Sequence, residues 1–380
     1  MKKIIVISDS FKGTLSSQEI CAIARTSVPK LFPGCRVDGI PVADGGEGTV
    51  SCFVEAIGAE PVTVEVCGPW GERVNAVYAR SGKRAIIEMA SAAGLPMVGD
   101  RLDPSATTTR GVGEQIRHAI GAGCTEILLG LGGSCTNDGG CGCAAALGTR
   151  FLDADGNEFV PVGGTLDRIA RIDNRAAQAL LRGVRITLMS DVTNPLCGPL
   201  GAAHVFGPQK GADSAMVERL DANLAHLAAV VKRDLGADVA DMPGAGAAGG
   251  MGYAVLALLG GSLGPGIEEI ARVIGLEEAV AEADYVLSGE GSFDRQSLMG
   301  KAVGGVAKLA KKHGTPLFVL SGIAGLDPSA YEKGVEAVWP LTRYRLASLP
   351  GPEETAKALE DHTEALFRTV NAAGQGSSRK

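Results

Sequence analysis

Thr125-Glu-Ile-Leu-Leu-Gly-Leu-Gly-Gly-Ser-Cys-Thr-Asn-Asp-Gly-Gly-Cys-Gly-Cys143 turns from an apolar run, Ile127 to Leu131, into a glycine-rich polar loop, and an alanine-rich segment follows. That order predicts strand, loop and helix. Glycines allow the backbone to approach a ligand, and the unpaired amides of a helix start favour an anion. The competing reading is a tight connection in which Asn137 or Asp138 caps the helix.

The same sequence of events recurs outward from this stretch. Ile4 to Ile7 runs into Asp9-Ser-Phe-Lys12, and Ser16 with Glu19 has the spacing of a capping box opening a helix through Val28. Arg36 to Val42 reads as a strand that ends in Ala-Asp44-Gly-Gly-Glu47. Ile186 to Met189 leads into Ser190-Asp191, and Tyr285 to Leu287 into Ser-Gly-Glu290-Gly-Ser-Phe-Asp294. Polar and glycine residues therefore gather at the carboxyl ends of strands, where open α/β sheets bind ligands. Between Pro61 and Met89 the pattern changes to apolar alternation broken by Gly68-Pro-Trp-Gly71 and Ser81-Gly82, which predicts antiparallel hairpins. The strand-helix rhythm returns near the C-terminus. We therefore expect an α/β protein with a discontinuous first domain, residues 1–61 and 283–380, and a mixed domain of residues 62–282 inserted into it.

Composition narrows the function. A chain of 380 residues predicts two domains, and a net charge of −7 without a Lys/Arg cluster argues against nucleic acid or an anionic membrane as partner. Nine cysteines without regular spacing suit a reducing cytoplasm, and Cys135, Cys141 and Cys143 lack the spacing of a zinc site. The uncharged stretch from Asp241 to Glu268 is too rich in glycine, with Pro243 and Pro265, to read as a membrane span.

Two motifs fail on context, and a third is absent. Gly244-Ala-Gly-Ala-Ala-Gly249 has the spacing of a dinucleotide fingerprint but follows no strand, and Gly260-Gly-Ser-Leu-Gly264 has the hydrolase elbow spacing but follows a helix. No P-loop occurs. What remains is a set of carboxylates in glycine-rich loops (Asp9, Asp44, Glu47, Asp138, Asp191, Glu290 and Asp294) with Lys12, Lys210 and Lys301 as cations. Taken singly, each is an ordinary turn or cap residue. Together they fit phosphoryl transfer, which needs donors around phosphates, carboxylates for Mg²⁺ and one carboxylate to take a hydroxyl proton.

Seven segments match, in order, those of a known family: DSFKGTLSS (9–17), PVADGGEGT (41–49), GGSCTNDGG (132–140), DVTNPL (191–196), FGPQKGA (206–212), GAGAAGGMG (244–252) and GEGSFDRQS (289–297). On these the chain resembles the bacterial glycerate kinases of the type-1, glycerate 2-kinase, family. The resemblance implies a flavodoxin-like parallel-sheet domain, a second mixed α/β domain inserted into it, and an active site in the cleft between them. It also implies ATP-dependent phosphorylation of D-glycerate, most simply to 2-phosphoglycerate, in glycerate, glyoxylate and aldarate breakdown. Cys135 departs from the family's alanine at that position. Ser292 stands where many relatives carry arginine, so no guanidinium role is assigned there.

Roles for individual residues are expectations from chemistry. Asp191 is the candidate general base, and Lys12 meets a phosphate or the glycerate carboxylate. Gly132, Gly133 and Ser134, with Asn137, Asp138 and Lys210, form the expected anion-binding set. Glu290 and Asp294 hold Mg²⁺ directly or through water, while Asp44 and Glu47 orient substrate hydroxyls or the metal. Three alternatives stand beside this reading: a kinase giving 3-phosphoglycerate, a kinase of the galactokinase and homoserine kinase type, and a non-catalytic metabolite-binding regulator. The sequence leaves the oligomeric state open, a homo-oligomer included.

Overall fold

Three sheets organise the residues described by the structure, a computed structural model: 3–11, 14–41, 48–264, 271–294, 296–298, 302–324, 329–342 and 351–377. In chain order the strands are β1 (Lys3–Ser8), β2 (Arg36–Pro41), β3 (Glu60–Cys67), β4 (Arg73–Ser81), β5 (Arg84–Glu88), β6 (Glu126–Gly130) and β7 (Arg150–Leu152). They continue with β8 (Glu158–Phe159), β9 (Arg171–Asp173), β10 (Arg185–Met189), β11 (Ser262–Gly264), β12 (Tyr285–Phe293), β13 (Leu317–Ala324) and β14 (Val335–Pro340).

The chain forms two compact units. One comprises Met1–Asp44, Glu55–Ile57 and Ile267–Lys380, and the other Gly45–Val54 and Gly58–Gly266. The chain thus changes unit around 44–58 and at 266/267, where the sequence placed the changes at 61/62 and 282/283.

In the first unit the sheet runs β14-β13-β12-β1-β2, and every pairing is parallel. Counted within the unit, that is the order 2-1-3-4-5 of a flavodoxin-like sheet, whose topological switch lies between β1 and β12. Burial explains the composition of these strands: Ile4, Ile5, Val6 and Ile7 are all fully buried, as expected of a parallel strand covered on both faces. The helix Ser17–Leu31 opens with the capping box, in which the Ser16 hydroxyl accepts from the Glu19 amide and the Glu19 carboxylate accepts from the Ser16 amide.

The second unit has the sheet β11-β10-β6-β5-β4-β3. Strand β4 runs antiparallel to both β3 and β5, and β5, β6, β10 and β11 are parallel. The hairpins expected between Pro61 and Met89 thus join a sheet that turns parallel at β5. A small sheet, β8-β7-β9, and the strand β11 have no counterpart in the sequence reading. Strand β11 falls within Gly260-Gly-Ser-Leu-Gly264, where Ser262 to Gly264 pair with Thr187 to Met189.

Candidate active site

In the second unit the carboxyl ends of β5, β6 and β10 carry Glu88, the loop Leu131–Gly140 and Asp191. The loop is anchored on both sides. The Cys135 amide donates to the Ala93 carbonyl at 3.0 Å, the Leu95 amide to the Gly133 carbonyl at 2.7 Å, and the Thr107 hydroxyl to the Cys135 carbonyl at 3.0 Å.

Asp138 is fully buried and holds the start of the helix Cys141–Leu147, whose N-cap is Gly140. Its carboxylate accepts from the Gly140 amide at 3.0 Å, the Gly142 amide at 3.2 Å, and both the amide and hydroxyl of Thr109 at 2.8 Å. The Thr109 hydroxyl in turn accepts from the Cys143 amide at 2.9 Å. Burial pushes the Asp138 pKa upward, against the pull of these donors. The amides at this helix start, read from the sequence as an anion's seat, are therefore taken by the protein's own carboxylate. Gly132, Gly133 and Ser134 lie further back, at the strand end itself.

Lys210 closes the loop from the opposite side. It ends the 3₁₀ turn Pro208–Lys210, is 2% exposed, and its ammonium donates to Ser134 Oγ at 2.8 Å and to the Thr136 carbonyl at 2.7 Å. Burial pushes its pKa down to about 8, opposed by the fields of Cys135 and Asp138. Asn137 is fully buried beside these groups, and neither polar atom of its amide meets a protein hydrogen-bond partner among the described residues. A buried amide in that state costs about 1–3 kcal/mol per group unless a water or ligand satisfies it.

The second glycine-rich segment packs directly on this loop. The Gly139 amide donates to the Gly249 carbonyl at 3.0 Å, and Ala248, Gly249 and Gly250 all have left-handed backbones. A Cβ at Gly249 would sit 2.0 Å from the Thr136 carbonyl oxygen, so only glycine fits. Gly249 and Gly250 thus serve close contact with the Leu131–Gly140 loop, and Gly244 and Gly246 with Val192 and Pro195 beyond β10, which accounts for a dinucleotide-like spacing without a preceding strand.

Asp191 is exposed, two residues beyond β10. Glu88 was missed in the sequence. It ends β5, is 8% exposed, and accepts a very short hydrogen bond from the Val50 amide, one residue into the helix Thr49–Ile57. The signal was present, since a carboxylate closing the apolar run Ala85-Ile-Ile87 follows the rule that singled out Asp191. The clustered cysteines are buried, and burial raises their pKa values, that of Cys135 to about 11. They are protonated, inert core residues.

In the first unit, the switch between β1 and β12 is tied by the Asp9 amide and the Ser8 hydroxyl, both donating to the Gly289 carbonyl at 3.0 Å. A Cβ at Gly289 would lie 2.5 Å from the Leu320 carbonyl oxygen. Glu290 follows on β12, buried and opposite Ser321 of β13. Asp294 is exposed and caps the turn Gln296–Leu298: its carboxylate accepts from the Ser297 amide at 3.2 Å, and its own amide donates to the Ser297 hydroxyl at 3.0 Å. Glu290 lies within β12 and Asp294 one residue beyond its end. Among the described residues no three His, Cys, Asp or Glu side chains gather as a metal cage. Mg²⁺ bound with a nucleotide uses only one or two carboxylates, so either residue alone fits that role. Lys12, Asp44, Glu47 and Lys301 lie outside the described residues. No helix among the described residues is long and apolar enough to cross a membrane.

The sequence profile described as "Glycerate kinase family" matches residues 4–371. The chain is 44% identical over 374 residues to the glycerate 2-kinase of Escherichia coli (strain K12), covering 97% of each protein. It is 42% identical over 382 residues to the glycerate kinase of Bacillus cereus (strain ATCC 10987 / NRS 248), covering all of this chain and 99% of that one. A crystal structure of a Salmonella typhimurium LT2 protein described as a glycerate kinase 2 superposes with a TM-score of 0.85 at 41% identity, over 99% of this chain and 100% of that one. An ordered set of motifs, a flavodoxin-like strand order and full-length likeness lead to one conclusion: this chain belongs to the glycerate kinase family.

Proposed function

We propose that this kinase transfers the γ-phosphoryl group of ATP to the 2-hydroxyl of D-glycerate, giving 2-phospho-D-glycerate and ADP, in the breakdown of glycerate, glyoxylate and aldarates. The observation that carries the reading is the placing of the family's motif residues on the sheets, Ser134 and Asp191 just beyond the carboxyl ends of β6 and β10 in one unit and Glu290 within the carboxyl-terminal half of β12 in the other. The full-length likeness to a protein named glycerate 2-kinase favours the 2-hydroxyl.

Asp191 acts as general base. An exposed carboxylate at a strand end is accessible to a substrate hydroxyl and takes its proton as the oxygen attacks phosphorus. The loop around Ser134 supplies donors to an anionic oxygen, a phosphate or the glycerate carboxylate. Asn137 adds a buried amide suited to a ligand or bound water. Glu290 or Asp294 holds Mg²⁺, which when bound offsets the charge of the transferring phosphate. Lys12 is assigned to a phosphate or carboxylate, and Asp44 and Glu47 to substrate hydroxyls or the metal, on their motif positions.

The test is a coupled assay with ATP, Mg²⁺ and D-glycerate, with the product identified by phosphorus NMR. A 2-phosphoglycerate resonance is expected. A 3-phosphoglycerate resonance would keep the kinase and move the reaction to the other hydroxyl. Absence of turnover from folded protein would overturn the reading in favour of a metabolite-binding regulator.

A further inference from the structure

Lys210 is a buried cation with no carboxylate partner. Its two acceptors, Ser134 Oγ and the Thr136 carbonyl, are neutral, and it forms no ion pair among the described residues. Removing an ammonium from water without a carboxylate in contact, with only the field of the buried Asp138 to offset it, is costly. Ser134, 8% exposed, is the group through which that field reaches the strand end. Its oxygen accepts from Lys210, so its own hydroxyl proton is left to donate, and no acceptor for that proton occurs among the described residues. The backbone on either side is fixed, Ser134 bridging to Gly94 and Cys135 to Ala93.

We propose that Ser134 is the donor through which this loop grips an anionic oxygen of a substrate, carboxylate or phosphate, and that Lys210 is a positioning residue that orients and polarises the Ser134 hydroxyl from behind without touching the ligand. This rests on the kinase reading for its choice of ligands. The ammonium turns the serine oxygen into an acceptor on one side, so the hydroxyl becomes a charge-assisted donor on the other. The lysine's burial keeps water and the ligand from competing for it. The titratable groups facing the ammonium are Cys135 and Asp138, both on the same loop. Cys135 is a neutral thiol over the neutral pH range, so the proton whose loss weakens the grip above pH 8 is that of Lys210.

The experiment is calorimetric binding of D-glycerate and, separately, of ADP to wild type, Ser134→Ala, Lys210→Met and the double variant, which needs no turnover. Ser134→Ala is expected to weaken one of the two ligands about 10-fold. Loss for glycerate makes the anion a carboxylate, and loss for ADP makes it a phosphate. Lys210→Met is expected to weaken the same ligand by a similar factor, and the double variant to bind no worse than either single one. Additive losses would put Lys210 on the ligand itself and overturn the relay. Unchanged affinities in folded Ser134→Ala would make the pair a purely structural clamp. Should Lys210→Met fail to fold, the pH profile decides: wild-type affinity falls above pH 8, whereas that of Ser134→Ala stays flat, and parallel profiles overturn the proposal. Inactive wild type that still binds both ligands in this pattern sinks the kinase reading and leaves the relay standing.

Discussion

Both units carry glycine-rich motif residues toward the carboxyl ends of parallel strands, and their described residues are held there in different ways. In the second unit the polar groups of Ser134 to Asp138 point inward: Asp138 is saturated with four donors, and Lys210 is held by two acceptors. In the first unit, among the described residues, the Gly289 carbonyl ties β12 to the Ser8 hydroxyl and the Asp9 amide, and Asp294, the carboxylate just beyond β12, is exposed and accepts from the Ser297 amide of a short turn. The first design is preorganised, its desolvation completed on folding, as suits a site that must hold an anion in one place. The second presents an exposed carboxylate, as suits an ion such as Mg²⁺ that keeps several of its waters.

The sharpest separation of chemistry from scaffold comes from Asp191, exposed two residues beyond β10. Asp191→Asn is expected to lower kcat by about 10³-fold, the ordinary reach of a general base, with Tm changed by no more than about 2 °C. Steady-state kinetics beside a thermal melt measures both. A variant with near-normal kcat would remove the base from this strand end.

Asp138→Ala should do the reverse. It strands four donors in a buried site, a loss of about 3–5 kcal/mol, or a fall in Tm on the order of 10 °C. Asp138→Asn retains one carbonyl oxygen and should fall between this variant and wild type. A small loss for both would mean that the loop is far less preorganised than its hydrogen bonds indicate.

What the sequence disclosed, and what it withheld, follows from the range of each interaction. Strands β1, β6 and β10 were legible because burial on both faces demands an unbroken apolar run. Strands β7, β8, β9 and β11 have two or three residues each, too few for a period to show, and β11 owes its form to a partner far along the chain, Ser262 pairing with Thr187. The same holds at the site. The sequence singled out Asp138 and Lys210 by residue type. Whether Asp138 seats a ligand or caps a helix depends on Thr109, 29 positions away, and the surroundings of Lys210 depend on Ser134, 76 away. Glu88 was legible and overlooked, because its apolar run was read for its strand and not for the carboxylate that ends it.

The buried cation allows a smaller test through pH. The Lys210 pKa is depressed in the folded protein, from 10.5 to about 8, so between these values the unfolded chain binds the proton more tightly. Unfolding free energy should therefore gain from this group as pH rises through that window, by about 3 kcal/mol at full extent. Chemical denaturation of wild type and Lys210→Met at pH 7.5 and 10 measures it. The variant should lack this gain, and equal slopes would mean that water reaches the ammonium.

Asp294 gives the smallest effect and the cleanest contrast with Asp138. Asp294→Asn keeps an acceptor for the Ser297 amide, so the turn Gln296–Leu298 should persist and stability should change by less than about 0.5 kcal/mol. If the open edge serves a hydrated ion, losing one charge should raise the Mg²⁺ concentration needed for half-maximal kcat roughly 3- to 10-fold, with the KM for D-glycerate unchanged. Titrating Mg²⁺ at saturating ATP and glycerate measures this. An unchanged Mg²⁺ requirement would return Asp294 to the turn and pass the metal to Glu290, whose burial on β12 would place the ion in a drier setting than this exposed edge.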